Sequence, residues 1–111
     1  MEDLPIVDRA RLDLITRGDA ALAQEFLGDL IAEATDVLDQ LGAVIGGGDR
    51  VAVADLAHRL KGMSTEIGAP RLRAAAAALE TEGDPERWGG HVECAVIALH
   101  ELRSLAKGTD G

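Results

Sequence analysis

The sequence predicts an all-α fold, an antiparallel four-helix bundle led by a short N-terminal helix, and three observations predict it. Apolar residues recur at intervals of three and four, and no alternation of period two competes with them. Glycine, aspartate and proline punctuate the chain into five segments joined by short loops. Its 111 residues are one domain by length, enough to bury a single core without metal or disulfide staples.

Each segment carries its own start and stop. Asp8 is placed to cap a short helix with Leu12 and Ile15 on one face, and Gly18 to end it. Asp19 caps a long second helix whose apolar face holds Ala23, Phe26, Leu27, Leu30, Ala34, Val37, Leu38, Leu41, Val44 and Ile45. The run 46-GGGD-49 stops that helix, and Asp49 caps a third over about 50–67, ending at Gly68. Pro70 fits the first turn of a fourth helix with a narrow seam of Leu72, Ala75, Ala76 and Leu79, closed by Gly83. Asp84-Pro85 signals another start, although 89-GG-90 leaves the first turn of the last helix open. The body of that helix presents Val92, Ala95, Val96, Leu99, Leu102 and Ala106. Residues 108–111 are expected to fray.

Composition narrows the functions. Twenty acidic against eleven basic residues give a formal charge of −9, which argues against nucleic acid and an anionic membrane as partners. The single Cys94 cannot form an internal disulfide, so the chain suits the reducing cytoplasm, and a buried or half-buried thiol is expected. Nothing resembles a signal peptide, and no apolar run approaches the roughly 18 residues of a membrane span. Trp88 reads as a lid over one end of the bundle, and His91 and His100 as partly exposed surface residues.

The stretch 57-AHRLKGMSTEIGA-69 stands apart. Turning each residue by about 100° gathers Val53, Leu56, Ala57, Leu60, Met63, Ser64 and Ile67 into a core sector of roughly 120°. His58 falls outside it, with Ala54 four residues before, Lys61 three after, Gly62 four after and Thr65 seven after. Ala54 and Gly62 are the residues least able to crowd an imidazole. Gly62 costs the helix roughly 1 kcal/mol relative to alanine, and close approach of another molecule would account for it. Imidazole is the side chain best suited to act as a neutral nucleophile near pH 7. No carboxylate or second histidine stands at i±4, so a metal site is not expected. Phosphoryl transfer needs positioning and charge compensation above all, and an exposed imidazole beside Lys61 offers both.

These residues resemble the signature of histidine-containing phosphotransfer (HPt) domains of two-component phosphorelays. The pattern A-H-x-L-K-G-x-S-x-x-hydrophobic-G-A is met by Ala57, His58, Leu60, Lys61, Gly62, Ser64, Ile67, Gly68 and Ala69. An L-x-x-G-D-like pattern at Ile15 to Asp19, a G-D loop before the motif and an L-E-x-x-G-D close to helix four extend the likeness over nearly the whole chain. The resemblance implies one HPt-like domain over 1–111, with His58 as phosphoacceptor, Lys61 compensating phosphoryl charge and Gly62 giving clearance to a receiver domain. It implies receiver domains and a sensor or hybrid histidine kinase as partners, with Mg²⁺ in the receiver's acidic pocket and no cofactor on this chain. Ala54, Asp55, Thr65 and Glu66 are expected to contact the partner; Glu66 stands where the family often has a small or amide residue, and Arg59 turns away from the Lys61 side.

A phosphocarrier without an ATP-binding domain of its own is therefore the expected function, and a monomer the expected state. Two other readings stay open. One is a docking module that binds a receiver or kinase without exchanging phosphate. The other is the phosphoacceptor domain of a larger hybrid or chemotaxis-type kinase, although Met1 and the short ends favour a stand-alone protein. A kinase dimerisation region fits less well: Arg59 follows the histidine where an acidic residue is typical, and 46-GGGD-49 lacks the Lys-Ser/Thr of a P-loop.

Overall fold

Asp8, Asp19 and Asp49 each accept a hydrogen bond from the backbone N–H three residues on, at 3.1, 3.1 and 3.0 Å, and so begin three helices. The computed structural model describes residues 4–108. Its elements are α1 (Arg9–Thr16), α2 (Ala20–Ile45), α3 (Arg50–Ile67), α4 (Pro70–Thr81), a one-turn 3-10 helix (Pro85–Arg87) and α5 (Trp88–Gly108). No strand occurs among the described residues, and none of these helices is long and apolar enough to cross a membrane.

The packing follows the apolar seams. α2 lies against α3 and α5, α4 lies against α3 and α5, and α1 rests on α2 and α3. With 26 residues, α2 is about 39 Å long at 1.5 Å per residue, nearly the full 42 Å of the molecule's longest dimension. Leu41 from α2, Leu60 from α3, Leu72 and Leu79 from α4 and Leu102 from α5 are fully buried between them. Ser64 and Thr16, the polar residues of this interior, donate to the carbonyls of Leu60 and Leu12, both at 2.7 Å, so neither hydroxyl is orphaned.

α1 fixes the end of α3. Gly68 takes the left-handed φ of 88° that stops α3, and Asp8 donates its backbone N–H to the Gly68 carbonyl at 2.7 Å. A Cβ at Gly68 would lie 2.9 Å from Cγ of Arg11, so conformation and close approach both require glycine here.

Four details depart from the sequence expectations. α1 ends on Arg17, which itself takes a left-handed φ of 55° before Gly18 follows at 76°. The Asp84 cap is real but serves the 3-10 turn, accepting from Glu86 N–H at 3.0 Å, so α5 starts at Trp88 with Gly89 and Gly90 in its first turn. Trp88 is 1 % exposed and its indole donates to the Glu82 carbonyl at 3.1 Å, which anchors that start. On α5 the buried face is Ala95, Ala98, Leu99 and Leu102, and Val96 is 49 % exposed, because α5 turns toward both α2 and α4 and its buried sector is rotated. Cys94, expected to be buried or half-buried, is exposed in an open pocket between α4 and α5. Of the tail expected to fray, Gly108 closes α5 and the rest lies outside the described residues.

Candidate functional site

The register of α3 decides what faces outward. Val53, Ala57, Leu60 and Ser64 are buried and Leu56, Met63 and Ile67 half-buried, so the seam predicted for this helix is the seam observed. With that face committed, His58 must point out, and its side chain is 70 % exposed. Gly62, one turn on, is exposed as well, and a Cβ added there meets nothing within 4 Å.

α4 supplies a residue the sequence reading did not place in the site. Glu80 sends Oε2 to Nδ1 of His58 at 2.7 Å and Oε1 to Nζ of Lys61 at 2.6 Å. One carboxylate thus clasps both side chains of the His-x-x-Lys pair. The Lys61 hydrogen bond, with a smaller share from His58, holds Glu80 below its ordinary value of 4.5 despite partial desolvation. Glu80 is therefore an anion at neutral pH, able only to accept. The proton on Nδ1 must belong to the imidazole, and in the neutral ring that leaves the lone pair on Nε2.

Same-helix spacing could not reveal this, since Glu80 lies 22 residues from His58. The signal was nevertheless in the sequence: Glu80 is the acidic residue of the L-E-x-x-G-D stretch that closes α4. The packing of α4 on α3 brings it across, as it brings Arg73 to Thr65.

The other expected contacts share the outer side of α3 without bonding to His58. Asp55, Thr65 and Glu66 are exposed and Ala54 half-buried. The Thr65 hydroxyl donates to the Lys61 carbonyl at 2.8 Å and accepts from Nε of Arg73 at 2.9 Å. The Glu66 carbonyl accepts from Nε of Arg11 at 3.0 Å. Among the described residues, no three His, Cys, Asp or Glu side chains converge to hold a metal ion.

A second histidine–carboxylate pair lies at the same C-terminal end of α4, on its capping residue Glu82. Nε2 of His91 is 2.7 Å from Oε1 of Glu82, and this contact is the main influence lowering the Glu82 pKa. His91 is 27 % exposed, less open than His58, whereas His100 is exposed. Gly89 and Gly90 leave open space beside His91, but no lysine stands near it as Lys61 stands by His58.

Comparison with known proteins meets this geometry from outside. The model of the Hpt domain family matches residues 25–107. Histidine-containing phosphotransfer protein B (HptB) from Pseudomonas aeruginosa PAO1 superposes with a TM-score of 0.87 at 24% identity. That match covers 96% of this chain and 96% of the other, and at such identity it is a likeness of fold. No curated protein matches the sequence.

Proposed function

The chain belongs to the Hpt domain family, the histidine phosphocarriers of phosphorelays, and we propose that His58 is the side chain that carries the phosphoryl group. The observation that carries this assignment is the exposed imidazole with Nδ1 tied to Glu80 and no partner on Nε2 among the described residues. Of the three histidines, His58 alone combines that exposure with an adjacent lysine and an open glycine.

The chemistry follows from the proton assignment. Nε2 attacks the phosphorus of a receiver's aspartyl phosphate, the N–P bond forms, and the acyl phosphate P–O bond breaks to release the aspartate carboxylate. Both ring nitrogens are then substituted and the ring is cationic. Glu80 offsets that charge through Nδ1–H, as a buried carboxylate orients and stabilises an imidazolium in hydrolytic triads. Lys61 faces the phosphoryl oxygens and exchanges part of its contact with Glu80 for them. The reverse sequence hands the group to a second receiver aspartate.

Gly62 leaves room for the partner backbone, and Ala54, Asp55, Thr65 and Glu66 form the surrounding contact. This reading takes the four longer helices as an antiparallel bundle whose role is to hold α3 and α4 in register. As part of a phosphorelay the domain meets receiver domains and kinases. We assign it no cofactor of its own, place the reaction's Mg²⁺ on the receiver, and read the chain as a monomeric cytoplasmic carrier without nucleic-acid or membrane partners.

Replacing His58 with Gln tests the assignment. The variant should lose all acid-labile label from a phosphorylated receiver while its helical circular dichroism stays at the wild-type level. Label retained on the folded variant would place the acceptor elsewhere.

A further inference from the structure

A groove at the junction of α3 and α4, bounded on one side by the start of α1, collects two arginines. It encloses about 440 Å³. Buried Gly68 and Ala69 lie at its floor, while Arg11 reaches it from α1 and Arg73 from α4. Each guanidinium is anchored through its Nε. Nε of Arg11 donates to the Glu66 carbonyl at 3.0 Å, and Nε of Arg73 to the Thr65 hydroxyl at 2.9 Å. Both acceptors are neutral, and the Nη groups of the two side chains have no hydrogen-bond or ionic partner among the described residues.

Two uncompensated arginines on one groove stand out in a chain with 20 acidic residues against 11 basic ones. Lys61, Arg71 and Arg87 each have a carboxylate within 4.0 Å. Asp8, the acidic residue of the lining, turns Oδ1 to the Arg11 backbone N–H at 3.1 Å and pairs with neither guanidinium. Like charges facing one groove repel, and an anion between them replaces that cost with attraction. Arginine suits an oxyanion better than lysine, because its planar fork meets two oxygens at once. With Nε already anchored, the outer Nη groups lose less freedom when a ligand binds. The Ser64 and Thr65 hydroxyls donate to carbonyls of α3, so the side-chain donors left for a ligand are those of the arginines.

We propose that this groove binds a dianionic phosphate group between Arg11 and Arg73, with the carbon part of a small phosphomonoester lying over Gly68, Ala69 and Pro70. The volume falls within the range of small-ligand sites, about 300–1,000 Å³. The site is separate from the phosphoacceptor, since Thr65 lies seven residues along α3 from His58, about 10.5 Å. Binding here is reversible and moves no phosphoryl group, so it holds whether or not His58 carries one. With a formal charge of −9 the chain as a whole repels anions, and saturable binding of one therefore reports a local site.

The test is a titration of the unphosphorylated, ¹⁵N-labelled protein with glycerol phosphate, inorganic phosphate and succinate at constant ionic strength, followed by ¹H–¹⁵N NMR. Glycerol phosphate should shift the Nε–H signals of Arg11 and Arg73 and the amides of Gly68 and Ala69 together, with a Kd of about 1 mM or below. R73M, which removes one fork and keeps the stem, should weaken binding about tenfold or more. R59M removes the same charge from an exposed position of α3 outside the groove, and should bind as wild type does. Tighter binding of glycerol phosphate than of inorganic phosphate assigns the site to an ester, and equal binding assigns it to the free ion. Either result supports a phosphate group between the arginines. Succinate binding as tightly as glycerol phosphate, the absence of a saturable shift, or equal weakening in R73M and R59M would overturn the site.

Discussion

On the clearance role proposed for Gly62, Gly62→Ala should move folding and function in opposite directions. The residue lies in the interior of α3, five residues from its end, and an added Cβ meets nothing within 4 Å. The substitution therefore introduces no clash, and the helix recovers the interior glycine penalty of about 0.8–1.0 kcal/mol. For a domain of this size that should raise Tm by about 4 °C. The new methyl projects one turn from His58, with Cβ atoms roughly 5–6 Å apart, on ground the partner must approach. Holding the reacting aspartate off by about 1 Å should slow transfer roughly a hundredfold. Thermal melts by circular dichroism and single-turnover transfer from a labelled receiver read both quantities on one preparation. A variant that is more stable and transfers at the wild-type rate would refute the clearance argument. A less stable variant would refute the account of open space around Gly62.

Three further outcomes follow from other parts of the molecule. Glu80→Gln should slow acceptance about tenfold, one hydrogen bond's share of the barrier, and ¹⁵N NMR should show part of the proton moving from Nδ1 to Nε2. Leu41→Ala, at a fully buried position of α2, should cost about 2–5 kcal/mol in denaturant unfolding, whereas Leu14→Ala, 70 % exposed, should stay within about 0.5 kcal/mol. Glu82, whose pKa His91 lowers beneath 4.5, binds its proton less readily folded than unfolded. Its stabilisation is present above pH 4.5 and lost as pH falls through the folded value, so the Tm gap between wild type and Glu82→Gln should close only below pH 4.5.

Local rules made much of this architecture legible from sequence. Asp8, Asp19, Asp49 and Gly68 are capping residues whose action is complete within four residues, and each acts where the pattern places it. The α3 and α4 seams were equally readable, since a helix buried on one side writes a single stripe. α5 was harder: its buried sector is rotated from the stripe read in the sequence, which took in Val96 while passing over Ala98. Its start was masked by Asp84 and Pro85, which begin a one-turn helix and not α5 itself. In the site, His58 and Gly62 stood out because they lie off the stripe. Glu80 did not, because its meaning depends on α4 crossing α3 at one register, a tertiary fact that periodicity does not encode. The consequence was chemical: without Glu80 the histidine had no assigned proton, and Lys61 looked like a free cation when it is already paired.

The central claim, that Nε2 of His58 is the phosphorylated atom, is tested most directly by ¹H–¹⁵N and ³¹P NMR of the phosphorylated protein with labelled histidine. The account predicts phosphorus coupled to Nε2 of His58, with the proton retained on Nδ1 against Glu80. Phosphorus on Nδ1 of His58, or on His91 or His100, would contradict it.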